Sequence, residues 1–198
     1  MIIKLNIVKI MKKSSFINKL TILRKKNIAL VGHMGSGKSV LGKKIARELN
    51  LEHIDTDQKI IEFENKTINQ IFELKGEYYF RKLETQIILK LLEKKNIIIS
   101  LGGGSITNIQ IRNKLMSNSV TVFLDVSLEK LEIRLSRSKN RPLLKNIDIL
   151  SKLKELDTQR RKYYLDSNIK IQNANSINKT YLDFIEYFSN INDQNNKT

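Results

Sequence analysis

One segment of eight residues constrains the fold of this chain more than any other: Gly32-His33-Met34-Gly35-Ser36-Gly37-Lys38-Ser39. It matches the pattern G-x-x-x-x-G-K-[ST], in which backbone N–H groups cradle phosphate oxygens. The apolar run 27–31 before it predicts a buried strand, and residues 38–49 after it predict a helix, which is the context that the pattern requires. We therefore expect a nucleoside triphosphate to bind where this strand ends.

Glycine is rare elsewhere in the chain. There are 8 glycines among 198 residues, at positions 32, 35, 37, 42, 76, 102, 103 and 104. Glycine has no cheap substitute where φ is positive or where the backbone must approach a ligand closely. We interpret Gly102-Gly103-Gly104, which follows the apolar run 97–101, as backbone beside a ligand, with a flexible turn as the alternative.

Short apolar runs alternate with amphipathic stretches along the chain. This alternation predicts an α/β fold with a parallel sheet covered on both faces. The predicted strands are 27–31, 53–54, 97–100, 120–124 and 169–171. The clearest predicted helices are 38–49, 77–95 and 148–164.

The basic composition is a poor guide to function. The net charge is +16, but Lys and Arg are spread from end to end and no aromatic-rich basic stripe accompanies them. The abundance of Ile, Asn and Lys is typical of an AT-rich coding sequence, which we favour over a nucleic-acid role. The chain has no Cys, which excludes disulfides and thiolate metal sites. No apolar run approaches the ~20 residues needed to span a bilayer.

The two ends of the chain differ from its middle. Residues 1–25 are rich in Lys and contain no acidic group, and we expect a disordered N-terminal extension or a misassigned start, with Met11 as an alternative start. Residues 26–188 are predicted to form one domain with a lid at about 134–147. Residues 189–198 are predicted to be a polar tail.

Two further segments carry candidate chemistry. Asp55 and Asp57 follow the second predicted strand, at the edge where open α/β sheets bind ligands. They suit a metal and an acceptor hydroxyl, although Asp is also common in turns and caps. Arg81 is placed to meet Glu77 and Glu84 on one helix face. It is either part of a surface ion-pair ladder or a guanidinium fixed to grip a carboxylate.

Cations are concentrated in two later segments. The first precedes Pro142, the only proline in the chain, and suits a lid that closes over phosphates, although a solvated charge run is the alternative. Its members are Arg134, Arg137, Lys139 and Arg141. Arg160, near the end of a predicted helix, is a second anion clamp or compensates the helix dipole. His33 and His53 lack metal-ligand spacing, and we interpret them as a variable loop position and a strand-packing residue.

Taken in order, these segments resemble the shikimate kinases from about Asn27 to Ile171. The likeness rests on the loop ending Gly-Lys-Ser, Asp-x-Asp, Gly-Glu-x-x-Phe-Arg-x-x-Glu, Gly-Gly-Gly, and Arg-Pro-Leu-Leu followed by Arg-x-x-x-Tyr. The resemblance implies a P-loop NMP-kinase-like three-layer α/β/α fold with a five-stranded parallel sheet and a mobile lid. It also implies ATP-dependent phosphorylation of the 3-hydroxyl of shikimate, giving shikimate 3-phosphate and ADP, in aromatic amino-acid biosynthesis.

The resemblance implies a nucleotide and metal site. Ser39 would bind Mg²⁺ directly and Asp55 would support it through water. Arg141 would close onto the transferring phosphate, and Arg137 would flank the adenine, with Arg134 as the alternative. The residues that would hold the ATP phosphates are Gly35, Ser36, Gly37, Lys38, Ser39 and Val40. Val40 departs from the Thr common in the family, at a position where we expect little effect.

The resemblance also implies an acceptor site. Arg81 and Arg160 would hold the shikimate carboxylate, with a backbone contact from Gly103. Asp57 would bind the shikimate hydroxyls and position the attacking one, with its deprotonation as a further possible role. The catalytic residues would be Lys38, Asp57 and Arg141. Asn168 replaces an Ala common in the family, which leaves the turn after the last motif uncertain.

The expected partners are shikimate and ATP with Mg²⁺. We expect a cytoplasmic monomer with no specific nucleic-acid partner and no membrane partner. One alternative is another small-metabolite P-loop kinase, such as a gluconate kinase, against which the Asp-x-Asp, Phe-Arg and triple-glycine motifs argue. The other is a basic nucleic-acid-binding P-loop ATPase, or a relative that binds nucleotide without catalysis.

Overall fold

A parallel sheet of five strands lies between two layers of helices, and this confirms the predicted fold class. The computed structural model describes residues 11–137, 148–172 and 176–191. The strands are β1 (Asn27–Val31), β2 (Glu52–Asp55), β3 (Ile97–Ser100), β4 (Ser119–Asp125) and β5 (Ile169–Gln172). The helices are α1 (Lys13–Ile22), α2 (Lys38–Leu49), α3 (Thr56–Glu64), α4 (Ile68–Leu91), α5 (Ile109–Asn118), α6 (Leu128–Ser136), α7 (Ile149–Leu165) and α8 (Ile177–Ser189). A short 3₁₀ turn spans Ser105–Thr107.

The strand order β2-β3-β1-β4-β5 places β1 at the centre of the sheet. Ile28 pairs with Ile98 of β3 on one side and with Val120 of β4 on the other. The chain therefore leaves β1 where the order of strands reverses, and this is the place where open α/β sheets form a ligand crevice. The eight-residue loop and the triple glycine both follow strands that end there.

Alternate residues of β1 feed two hydrophobic cores. Ile28 and Leu30 face a cluster that includes α1, α2 and α8. Ala29 and Val31 face the opposite cluster, which includes α4 and α5. Because both faces are covered, every residue of this strand is buried, as expected for a central parallel strand.

The N-terminal segment differs from our expectation where the structure describes it. Residues 13–22 form α1, and Phe16 is fully buried with its ring 4.8 Å from that of Phe188. Lys19 Nζ donates a hydrogen bond to the Ile191 carbonyl at 2.7 Å. The weak apolar pattern concealed the helix, because Phe16 and Leu20 are its two buried apolar residues. Residues 1–10 lie outside the described part, as do residues 192–198 of the expected polar tail.

Helix α4 begins earlier than the predicted 77–95 because Gly76 is a kink inside it and not a start. Thr67, the N-cap, and Gln70, in the first turn, form a capping box at the start of the helix, and Gly76 has φ 77° and ψ 168°. Helix α7 agrees closely with the predicted 148–164, since Asp148 caps it. None of the helices within the described ranges is long and apolar enough to cross a membrane.

Asn168 resolves the uncertain turn before β5. Its side-chain oxygen accepts hydrogen bonds from the backbone N and the hydroxyl of Thr121, both at 2.9 Å. Its own backbone N donates to the Thr121 hydroxyl at 3.0 Å. The Asn side chain thus extends the contact between β4 and β5 by hydrogen bonds that Ala could not make.

Candidate active site

The eight-residue loop joins β1 to α2 and presents the N-terminus of that helix to the crevice. Gly37 is the N-cap of α2 with φ 96°, a left-handed conformation that favours glycine. Lys38 Nζ lies over the loop and donates to the carbonyls of Gly32 and His33, each at 2.8 Å. The N-terminus of α2 and the ammonium group of Lys38 therefore form an anion site together.

Ser39 and Asp55 bring two oxygen ligands together beside this loop. The Ser39 hydroxyl donates to Asp55 Oδ2, while Asp55 Oδ1 caps α3 by accepting from Asp57 N at 3.0 Å. Hard oxygen ligands of this kind suit Mg²⁺, which proteins usually hold by one or two carboxylates plus substrate phosphates. The described part of the chain has no group of three or more His, Cys, Asp or Glu that could hold a metal alone. The residues present thus fit a magnesium ion shared with a nucleotide.

The three consecutive glycines lie against three side chains that are candidates for binding the substrate that accepts the phosphate. A Cβ added at Gly102 would lie 2.5 Å from Asp57 Oδ1, and one at Gly104 would lie 2.7 Å from Arg81 Nη1. A Cβ added at Gly103 would lie 3.6 Å from Arg160 Nη1. The structure therefore gathers side chains from α3, α4 and α7 around one short stretch of bare backbone, which we call the glycine wall (Gly102–Gly104).

Arg81 is held at both ends of its guanidinium. Its Nη1 donates to Glu84 Oε2 at 2.8 Å, and its Nε donates to Glu77 Oε1 at 3.2 Å. Glu84 is buried, and this burial raises its pKa, while Arg81 opposes the shift. The pair with Glu84 is therefore not a solvated surface ladder. It fixes the arginine beside the glycine wall, so that further donors of the guanidinium can meet an anion.

One face of α7 closes the other side of the site. Tyr164 is fully buried, which raises the pKa of its hydroxyl to about 12, and the hydroxyl donates to the Gly103 carbonyl at 2.7 Å. Arg160 lies one turn earlier on the same face. Its Nε is buried and has no hydrogen-bond partner among the residues that the structure describes. Arg160 is thus half-buried at the edge of the wall, with one guanidinium nitrogen removed from solvent.

Sequence reasoning missed the role of His33. Its side chain is 4% exposed, and its Nε2 lies 2.8 Å from Asp157 Oδ1 of α7. Its ring meets the Tyr164 ring edge-on, with the centroids 5.1 Å apart. His33 and Asp157 are 124 residues apart, so no local spacing signalled the pair. His53, by contrast, packs in its strand as predicted, with Nε2 2.9 Å from the Ser100 hydroxyl.

The remaining predicted nucleotide residues are placed unequally. Ser36 is buried within the loop, and Val40 is 59% exposed in the first turn of α2. Arg134 Nη1 donates to the Gly35 carbonyl at 3.2 Å, while Arg137 is exposed at the end of α6. Arg141 lies outside the described residues, as does most of the expected lid.

Known proteins resemble this chain in both sequence and structure. The family model described as Shikimate kinase matches residues 34–189. The Shikimate kinase of Buchnera aphidicola subsp. Baizongia pistaciae is 42% identical over 142 residues, or 71% of this chain and 82% of that protein. The Shikimate kinase of Aquifex aeolicus is 43% identical over 145 residues, or 73% of this chain and 85% of that protein. The solved shikimate kinase from Acinetobacter baumannii in complex with shikimate has a TM-score of 0.78 and 32% identity, covering 87% of this chain and 98% of that one.

Proposed function

Because this chain belongs to the shikimate kinase family, we propose from its site geometry how it phosphorylates shikimate with ATP to give shikimate 3-phosphate and ADP. The observation that carries the proposal is the glycine wall, which faces Asp57, Arg81 and Arg160 at once. A small anionic polyol needs cations for its carboxylate and a carboxylate for its hydroxyls, and this set supplies both.

The acceptor would lie along the glycine wall. Arg81 and Arg160 would bind the shikimate carboxylate, with the Gly103 backbone beside it. Asp57 would bind the ring hydroxyls and orient the 3-hydroxyl towards the terminal phosphate. Phosphoryl transfer depends mainly on positioning and charge neutralisation. The acceptor half of the site therefore chiefly needs a carboxylate that orients the attacking hydroxyl.

The nucleotide would lie on the loop, with Lys38 released from its two carbonyl partners to reach the phosphates. The residues proposed for the phosphates are Gly35, Ser36, Gly37, Lys38, Ser39 and Val40. Ser39 would bind Mg²⁺ and Asp55 would support it through water; the ion would neutralise phosphate charge. Arg137, exposed at the end of α6, is proposed to flank the adenine, with Arg134, which contacts Gly35, as the alternative. Arg141 is proposed to reach the transferring phosphate.

The test is shikimate-dependent ADP release by the full chain. We expect turnover that requires both shikimate and Mg²⁺ and exceeds the rate with ATP alone. Gluconate serves as the matched acceptor control, because a gluconate kinase is the nearest rival activity. A rate with gluconate that exceeds the rate with shikimate would overturn the substrate assignment.

We further propose that the enzyme works as a monomer in the cytoplasm. The support is that every residue proposed for the site belongs to one chain, and that the reaction draws on a supply of ATP. Light scattering at assay concentration tests the first part, and cell fractionation tests the second. A dimer whose activity falls on dilution would contradict the proposed monomer.

A further inference from the structure

His33 lies between the nucleotide loop and α7, in contact with both. Its backbone carbonyl accepts the hydrogen bond from Lys38 Nζ at 2.8 Å, so the residue belongs to the phosphate-binding loop. Its side chain is buried against α7, where it meets Asp157 and the ring of Tyr164. One residue thus contacts both halves of the site.

The protonation state of the imidazole follows from its surroundings. Burial lowers the pKa of His33, and the neighbouring Asp157 offsets this only in part. The ring is therefore neutral at pH 7, with one N–H donor. Because a carboxylate can only accept, the proton lies on Nε2, which donates to Asp157 Oδ1. Nδ1 is buried and has no hydrogen-bond partner within the described ranges, so Nε2 makes the ring's one directional contact there.

Asp157 lies on the same helix face as Arg160, three residues earlier. It also pairs with Arg161, whose Nη1 lies 3.5 Å from Asp157 Oδ1 and whose Nη2 lies 3.2 Å from Asp125 Oδ2 at the end of β4. The hydrogen bond from His33 therefore contacts α7 one turn before Arg160, the arginine that is proposed to bind the shikimate carboxylate. It holds that turn against the loop and not only against the sheet.

Gly103 shows how closely the loop and Arg160 approach. A Cβ added there would lie 3.4 Å from both the Gly32 carbonyl oxygen and the Met34 backbone N, and 3.6 Å from Arg160 Nη1. A small rotation of α7 would therefore move the guanidinium relative to both the loop and the wall. The Tyr164 hydroxyl already joins α7 to the Gly103 carbonyl at 2.7 Å, and the contact between His33 and Asp157 adds a second one, to the loop.

We propose that His33 is a positioning residue for Arg160: through Asp157 it fixes α7 to the nucleotide loop, so that the loop and the arginine of the acceptor site keep one relative geometry. The inference rests on the proposed role of Arg160 in binding the shikimate carboxylate. A residue of the nucleotide loop would then govern affinity for the other substrate.

The test compares three substitutions at this position. His33→Gln keeps an N–H donor near the place of Nε2, whereas His33→Asn places its amide near Nδ1, and His33→Ala removes both. We expect Ala and Asn to raise the KM for shikimate about five- to tenfold, the size of one ordinary lost hydrogen bond, and the KM for ATP less than about twofold. Gln is expected to restore the shikimate KM to within about twofold of the unsubstituted enzyme.

A double-substitution cycle separates positioning from general support of the loop. Calorimetric titration gives the shikimate Kd of His33→Ala, Arg160→Lys and the double variant. If His33 acts through Arg160, the two effects are less than additive, because contacting groups couple while independent groups add. Thermal unfolding of each variant identifies any that fails to fold.

Several results would overturn the inference. One is a KM for ATP that rises as much as the KM for shikimate, since His33 would then support only the loop. Another is a Gln variant that behaves like Ala, and a third is full additivity in the cycle. Absence of shikimate-dependent turnover in the unsubstituted enzyme would instead refute the proposed function itself, a distinguishable result.

Discussion

The glycine wall matters at the scale of single residues because each of its positions is opposite a different functional group. Asp57, Arg160 and Arg81 each lie against one glycine, and two of the added Cβ atoms would come closer than 3 Å to a side-chain atom. The wall therefore lies against all three side chains that are proposed to bind shikimate. Substitutions there are expected to change binding more than folding.

Gly104→Ala tests this directly. The residue has φ −86°, which any amino acid adopts, so the backbone is not strained. The new methyl group would lie 2.7 Å from Arg81 Nη1, at the flexible end of that side chain, and push the guanidinium away from the wall. We expect the KM for shikimate to rise roughly tenfold, with stability changed by less than about 1 kcal/mol. Steady-state kinetics and urea unfolding measure the two quantities, and a loss of stability with an unchanged KM would contradict the prediction.

Arg81 itself is the second test at this scale. Arg81→Ala is expected to raise the KM for shikimate by about 10²-fold, since the proposed charge-assisted contact with the shikimate carboxylate would be lost. The KM for ATP should change little. Arg81→Lys, the matched control, keeps the charge but not the fork geometry and should recover only part of the loss. Equal effects on both substrates would refute the carboxylate role.

Local spacing shows which residues the sequence could reveal. The pair of Arg81 with Glu84 was predictable because residues three apart meet on a helix, and the structure shows that contact. Asp57 and the glycine wall both follow strands that end at one edge of the sheet, so their proximity was also predictable. The pair of His33 with Asp157 was not predictable, because it depends on the packing of α7 against a loop distant in sequence.

At the scale of elements, α4 is two helical segments joined at Gly76. The residue has φ 77° and ψ 168°, a region that is essentially limited to glycine, and an added Cβ there would meet nothing within 4 Å. Backbone conformation alone therefore requires glycine. Arg81 lies on the segment that follows this kink, and its guanidinium reaches Gly104.

Gly76→Ala is expected to lower the free energy of unfolding by about 1–3 kcal/mol through backbone strain. Gly103→Ala is its matched control, because φ there is not positive and an added Cβ would meet no atom closer than 3.4 Å. Urea unfolding measures the free energy of unfolding of both variants. If both variants lose equal stability, the strain at the kink is not the cause.

Helix α1 shows where pattern reasoning failed at this scale. The strands were predictable from continuous apolar runs, whereas α1 buries few residues among many lysines. Phe16 packs against Phe184 and Phe188 in the core that also contains α2 and β1. The helix is therefore part of the folded domain, and a start at Met11 would retain it.

Phe16→Ala should lower the free energy of unfolding by about 3–5 kcal/mol, the usual cost of removing a buried aromatic ring. Ser14→Ala, on the exposed side of the same helix, should change it by less than about 0.5 kcal/mol. Denaturant unfolding gives both values. A Phe16→Ala variant as stable as Ser14→Ala would mean that α1 does not support the core.

At the scale of the whole molecule, both histidines are stabilised in the neutral form. Burial is the largest cause that lowers the pKa of His33 and of His53 below the ordinary 6.5. The unfolded chain therefore binds more protons than the folded chain below about pH 6.5. Their contribution to stability is present above that pH and is lost as the pH falls through the folded-state values.

We expect the free energy of unfolding to decrease between about pH 7 and pH 5.5, before most carboxylates titrate. The double variant with His33→Gln and His53→Gln should show a flatter dependence, whatever its stability at neutral pH. Urea unfolding across this range tests the slope. An unchanged slope would assign the pH dependence to other groups.

The glycine wall also bears on resistance to inhibitors. Enzymes commonly escape a competitive compound by placing a new side chain where the compound binds but the substrate does not. Along residues 102–104, an added side chain at either end would first meet the enzyme's own Asp57 or Arg81. A compound packed flat against this backbone would therefore leave few escape substitutions that preserve growth.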